Sequence, residues 1–302
     1  MKKTIFFGNG INMLSDGYSW NGMLSSLSKR TNIDQISSNL LKYEYIVLSE
    51  PCYTMFPWSL NGKLLLAGDK VWCMRKDTEY DILRAKMCKE LQTFKRSSFY
   101  YDLAKLNIQN YITTNYELYL KDIFSECSFK VTAYYENESR IFSKYIAQRG
   151  QEEISLWNIH GDVYHPKSII IGFSEYCKYI SEIENYLGST NYEKDSWLML
   201  FLTTDVYILG FGLVFEELDL WYLLICRKRI RRTCSNDCLN SIYYFSITKE
   251  DGKESKKDIS IKKELLETLD VVVIEVPFIE EWKEAYQNVF KQIGKDVGYR
   301  KI

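Results

Sequence analysis

The run Asp205-Val206-Tyr207-Ile208-Leu209 is the most strand-like in the chain, and it stops at Gly210-Phe211-Gly212. Three other short apolar segments stop in the same way. Thr4-Ile5-Phe6-Phe7 meets Gly8-Asn9-Gly10-Ile11-Asn12, Asn110 to Thr114 meets Asn115-Tyr116-Glu117, and Ile154 to Ile159 meets His160-Gly161-Asp162. Helical spacing recurs between these runs, as in Leu218, Trp221, Tyr222 and Ile225 or Trp282, Tyr286, Val289, Phe290 and Ile293. Strands that alternate with helices imply an α/β protein with a Rossmann-like, doubly wound, mainly parallel sheet. Ligands of such sheets sit beyond the carboxyl ends of the strands, where glycine lets the backbone approach an anion. Four strand ends of this kind on one edge describe a nucleotide site.

The elements expected between these ends fill the chain. Helices are expected over Ser19–Leu27, Glu117–Phe124, Arg140–Gln148, Glu175–Tyr186, Glu193–Leu202 and Asp258–Leu269. Strands are expected at Phe129–Tyr134, Ile242–Ile247 and Val271–Val276, with a further apolar run at Ser168–Ile171. Val271-Val272-Val273-Ile274 reads as a strand buried on both faces. Residues 31–107 carry helical spacing around an irregular, proline-containing piece from Pro51 to Lys70 with an Asn61-Gly62 turn. The expectation is a single domain over residues 1–302, with a helical insertion at about 31–107 that either covers the nucleotide site or packs on the sheet.

Composition removes several alternatives. A net charge of −1 supplies no global field toward nucleic acid or an anionic membrane, so direct nucleic-acid binding is not expected. The one basic cluster, Arg227-Lys228-Arg229-Ile230-Arg231-Arg232, reads as a solvated helix end. No apolar stretch approaches the ~18 residues of a membrane span. The eight cysteines are dispersed, which points to reduced, mostly buried thiols in a cytoplasmic protein. Cys226, Cys234 and Cys238 lack the paired spacing of a four-cysteine zinc site, so no metal is expected.

Both histidines of the chain lie in or just after the third strand end. His160 follows the apolar run directly and reads either as a proton acceptor near neutral pH or as a structural histidine that caps a turn. His165 precedes Pro166 and reads as a turn residue.

In this order, five segments resemble the SIR2-like branch of the sirtuin superfamily. They are Gly8-Asn9-Gly10-Ile11-Asn12, Thr113-Thr114-Asn115-Tyr116-Glu117, His160-Gly161-Asp162, Ile171-Gly172-Phe173-Ser174-Glu175-Tyr176 and Leu209-Gly210-Phe211-Gly212-Leu213. The resemblance implies an NAD-binding fold and NAD glycohydrolase activity of the kind found in bacterial antiviral defence proteins. It implies Asn115 and His160 as catalytic residues, Gly8, Gly10 and Asn12 as the pyrophosphate loop, and Gly210 and Gly212 as the loop near the adenosine half of NAD. Asn9, Thr114, Phe211 and Leu213 are expected among the other contacts to NAD. The chain departs from the pattern at Asn9 and Asn12, where alanine and serine are usual, and at Glu117, where aspartate is usual. NAD would be substrate rather than resident cofactor. The alternatives are a module that binds NAD or ADP-ribose without cleaving it and, less well matched, a protein deacylase. Since the fold uses nearly the whole chain, a trigger would come from homo-oligomerisation or a separate sensor or activator protein.

Overall fold

The computed structural model describes residues 2–14, 20–27, 35–36, 38–49, 70–136, 139–189, 195–214, 217–233, 240–248, 256–278 and 280–302. Eight strands form one sheet: β1 (Lys3–Phe7), β2 (Asn110–Thr113), β3 (Lys130–Glu136), β4 (Ser139–Arg149), β5 (Glu152–Asn158), β6 (Asp205–Leu209), β7 (Ile242–Thr248) and β8 (Val271–Pro277). Their spatial order is β3-β4-β5-β2-β1-β6-β7-β8. The six strands from β5 to β8 run parallel, and β3, β4 and β5 are joined antiparallel. The sheet is therefore mixed but mainly parallel, as the alternating pattern requires.

Alternation along each central strand sends neighbouring side chains into two cores. Ile5 and Phe7 of β1, Tyr111 of β2 and Leu156 of β5 enter one core. It is closed by α4 (Phe99–Lys105), α5 (Tyr119–Glu126) and α10 (Trp282–Val297). Phe6, Ile112 and Trp157 enter the other, against α6 (Phe173–Gly188), α7 (Trp197–Thr203), α8 (Leu218–Thr233) and α9 (Lys256–Thr268). Both faces of the central strands are thus buried, which is why they read as continuous apolar runs. Between β1 and β2 the chain forms α1 (Trp20–Leu27), α2 (Asn39–Ser49) and α3 (Lys70–Leu91) before α4. Met23, Tyr43, Ile46 and Met87 from these helices pack with Tyr116, Val163, Ile169 and Ile171, which follow β2 and β5. The helical stretch therefore lies over the loops at those strand ends. Residues 51–69, with the Asn61-Gly62 turn, lie outside the described residues.

Several sequence expectations are corrected. The stretch Arg140–Gln148 is strand β4, not a helix. Ile141, Phe142, Tyr145 and Ile146 mimic helical spacing, but the buried side chains serve two cores, Tyr145 and Ala147 packing with Leu156 and Ile141 with Trp157 on the other side of the sheet. A two-residue turn at Gly150-Gln151, with Gly150 at φ +61°, closes a hairpin that pairs Arg149 with Glu152. Ser168–Ile171 is not a strand. It leaves a 3₁₀ turn at Pro166–Ser168, and its Ile170 N–H donates to the carbonyl of His160, just past β5, at 2.9 Å. β8 is an edge strand rather than a doubly buried one, and Val272 is half exposed. The helix expected from Glu193 is described from Trp197 onward.

The basic cluster is also not a uniformly solvated helix end. Arg227 is fully buried, donating to Asn240 Oδ1 at 3.0 Å and to the Asn240 carbonyl. Lys228 and Arg231 pair with Asp270 at 2.7 and 3.5 Å. Of the cysteines whose side chains are described, only Cys88 is buried; Cys127 and Cys226 are half-buried and Cys177 is exposed. Cys234 and Cys238 lie outside the described residues. Among the described residues, no cluster of His, Cys, Asp and Glu able to hold a metal is found, and no helix is long and apolar enough to cross a membrane.

Candidate functional site

The four strand ends singled out by sequence belong to β5, β2, β1 and β6, which are four consecutive strands of the sheet. From β1 the chain passes to β2 on one side, and β6 lies on the other. The junction of β1 and β6 is therefore the switch point at which open α/β sheets form a ligand crevice.

Both glycine turns lie at this junction and touch each other. The Gly8 N–H donates to the Leu209 carbonyl at 2.9 Å, and the Gly10 N–H donates to the Gly210 carbonyl at 2.8 Å. A Cβ on Gly8 would sit 2.7 Å from the Gly210 oxygen, and one on Gly10 would sit 2.5 Å from the Tyr286 hydroxyl. Gly210 has φ +73°. Glycine is thus required here by loop-on-loop packing. Asn9 and Gly10 are half-buried, whereas Gly212 is exposed, and among the described residues a Cβ there would meet Val214 at 3.5 Å. Phe211 and Leu213 point into the core, and Phe211 meets Phe6 edge-on at 5.0 Å. Phe211 and Gly212 also border a cleft of about 270 Å³ with Tyr244, Ser246, Thr248 and Lys262, at the ends of β6 and β7.

One strand over, Asn115 is buried beside the Gly8 turn. Its backbone N–H donates to Thr113 Oγ1 at 3.1 Å, and Thr113 in turn donates to the Phe7 carbonyl at 2.8 Å. Its Nδ2 donates to the Tyr100 hydroxyl at 3.2 Å and reaches the Gly8 carbonyl at 3.4 Å. Asn12 is buried and donates to Glu117 at 2.7 Å and to Asn9 Oδ1 at 2.9 Å. The Tyr100 hydroxyl reaches both Glu117 and Asn12 Oδ1. Burial pushes the Glu117 carboxyl above its ordinary range, and the hydrogen bonds from Asn12 and Tyr100 partly oppose that. Thr114 is half-buried at the same strand end.

His160 follows β5, the neighbour of β2, so it and Asn115 project from adjacent strand ends. The register continues past the strands: the Ile159 N–H donates to the Thr113 carbonyl at 2.9 Å, and Asn158 Nδ2 donates to the Asn115 carbonyl at 3.0 Å. His160 is buried, with Tyr176 and Tyr179 edge-on to its ring at 5.4 and 5.8 Å. Its Nε2 lies 2.7 Å from Oδ2 of buried Asp219, in the first turn of α8. Gly161, at φ +86°, turns the chain so tightly that a Cβ would fall 2.3 Å from the Ser168 carbonyl. His165 is half exposed and pairs with Asp162 at 2.9 Å, away from this arrangement.

Sequence reasoning passed over Tyr100, Asp219 and Glu217. The last two belong to an acidic group just after the Gly210 turn, which is a readable signal. Tyr100 carries no local signal, because it reaches the site from α4. Glu217 is half-buried and accepts the Val214 N–H at 3.1 Å, and burial together with the charge of Asp219 pushes its carboxyl up to about 8.

No curated protein matches the chain. Residues 109–263 match the SIR2-like domain. That stretch runs from β2 into α9 and contains Asn115, His160, Gly210 and Asp219, while the Gly8 turn precedes it. It covers just over half of the 302 residues, and the chain belongs to the SIR2-like domain family.

Proposed function

We propose that this protein is an NAD glycohydrolase that cleaves NAD to nicotinamide and ADP-ribose. SIR2-like domains bind NAD. The observation that carries the reading is the placement of a neutral amide, Asn115, and an imidazole, His160, on adjacent strand ends beside the glycine-lined junction of β1 and β6. The pyrophosphate lies against the Gly8–Asn12 turn and Thr114, and the adenosine half runs toward Gly210–Leu213 and the cleft beyond it.

The chemistry suits those residue types. As the C1′–N bond breaks, nicotinamide leaves neutral with the bonding electron pair, and positive charge develops on the ribose. An uncharged amide holds ribose and water without quenching that charge. Water then forms the new C1′–O bond, and its proton passes to His160. Uncontrolled loss of NAD harms the cell that makes the enzyme. The reading therefore extends to a defence effector held inactive until self-assembly or another polypeptide releases it.

The test is NAD consumption by the purified protein, with nicotinamide and ADP-ribose resolved by chromatography. His160→Ala and Asn115→Ala are expected to lower turnover about 10²–10⁴-fold while remaining folded. Wild-type turnover in either variant overturns the assignment. A second reading, a non-catalytic NAD or ADP-ribose sensor, is favoured by the burial of Asn12 against Glu117, which commits its amide to the protein. Tight binding of NAD without product formation, at every oligomeric size sampled, decides for that reading.

A further inference from the structure

The geometry points to Asp219 as the positioning residue of His160, holding the ring as the Nε2–H tautomer and leaving the Nδ1 lone pair as the acceptor. The acceptor role rests on the glycohydrolase reading; the tautomer does not.

Three observations carry this. The Asp219 carboxylate is 2 % exposed, and its oxygen lies 2.7 Å from His160 Nε2. A carboxylate accepts and cannot donate, so the proton between the two atoms sits on the ring nitrogen. A buried carboxylate also needs a donor, because an uncompensated charge in an apolar setting is strongly disfavoured. The ring has little freedom to turn away, since Tyr176 and Tyr179 stand edge-on to it and its own carbonyl is fixed by the Ile170 N–H.

The position of Asp219 is itself anchored. It lies in the first turn of α8, where the helix dipole favours a negative charge. Two residues earlier, Glu217 accepts the Val214 N–H at the end of the Gly210 turn. The start of α8 therefore links the loop at the β1–β6 junction to the imidazole at the end of β5. Such carboxylate–imidazole pairs fix the tautomer and orientation of a base without themselves touching substrate.

The chain has only two histidines, so a ¹⁵N-histidine NMR spectrum resolves both rings of the whole protein. In the wild type, His160 is expected to show Nε2 protonated and Nδ1 bare. In Asp219→Asn the side-chain amide can donate to the ring, and the Nε2–H form is expected to give way to Nδ1–H or a mixture. A wild-type ring protonated at Nδ1, whether alone or together with Nε2, or an unchanged spectrum in the variant, overturns the inference. Should the variant not fold, the wild-type spectrum decides alone. In the kinetic arm, Asp219→Asn is expected to lower kcat about 10²–10⁴-fold with KM moved by less than about threefold; an unchanged kcat overturns the positioning role. If the wild type cleaves no NAD under any condition, the glycohydrolase reading fails while the spectra still decide on Asp219.

Discussion

The Gly10 N–H donates to the Gly210 carbonyl at 2.8 Å, so the turns after β1 and β6 are bound backbone to backbone. This contact places different demands on the two glycines of the second turn. Gly210 sits at φ +73°, and a Cβ there would meet the Gly8 oxygen at 2.9 Å. Gly210→Ala is expected to destabilise the protein by about 1–3 kcal/mol in urea unfolding. Gly212→Ala, with nothing nearer than Val214 at 3.5 Å, is expected to stay within about 0.5 kcal/mol of wild type. Equal losses at the two positions would remove the packing explanation.

Arg227 gives a second contrast on one helix. Its guanidinium is fully buried, and truncation leaves both Asn240 acceptors without their donor. Arg227→Ala is expected to lower stability by about 2–4 kcal/mol. Arg229, exposed on the same turn, is expected to change it by less than about 0.5 kcal/mol when replaced by alanine. Thermal and urea unfolding of the two variants measure this directly.

These cases show which parts of the molecule were legible in the sequence. Gly8, Asn115, His160 and Gly210 could be read because each follows an apolar run at once, and the end of a buried strand is a local signal. Their assembly on four neighbouring strands depends on the strand order, which alternation alone does not fix. β4 was misread because Ile141, Phe142, Tyr145 and Ile146 fit a helix as well as a strand, and the deciding Gly150 turn lies beyond them. The exposure of Val272 depends on β8 being the last strand, which no local pattern encodes. Arg227 looked like its basic neighbours because its partner, Asn240, lies 13 residues further along the chain. The contact between Asp219 and His160 spans 59 residues and exists only once the sheet has formed.

Glu217 makes the start of α8 sensitive to pH. Burial, followed by the charge of Asp219, raises its carboxyl from 4.5 to about 8. The folded protein therefore holds a proton that the unfolded chain has released between those values. Stability from this group is fully present below about pH 4.5 and is lost as pH rises toward 8. Glu217→Gln keeps a neutral side chain throughout and is expected to lack this decline. The difference in unfolding free energy between wild type and variant, measured from pH 5 to 8.5, should fall with rising pH; a constant difference would show that Glu217 does not titrate there.

Tyr100 tests how firmly Asn115 must be held. The Tyr100 hydroxyl accepts the Asn115 amide at 3.2 Å and reaches Glu117 and Asn12, so it joins the turn after β1 to the turn after β2. Its ring packs edge-on against Phe7 at 6.0 Å and Tyr119 at 5.3 Å, contacts that phenylalanine would keep. Tyr100→Phe should therefore fold, at a cost of about 1–3 kcal/mol for the buried groups left short of a partner. The Asn115 amide would lose its 3.2 Å contact to the hydroxyl and keep the longer one to the Gly8 carbonyl, at 3.4 Å. Losing one hydrogen bond's worth of orientation, about 1.4 kcal/mol, corresponds to a kcat for NAD cleavage about tenfold lower. A Tyr100→Phe protein with wild-type kcat would mean that the tyrosine hydroxyl does not set the orientation of the amide, and that the ring serves the packing between α4 and the sheet.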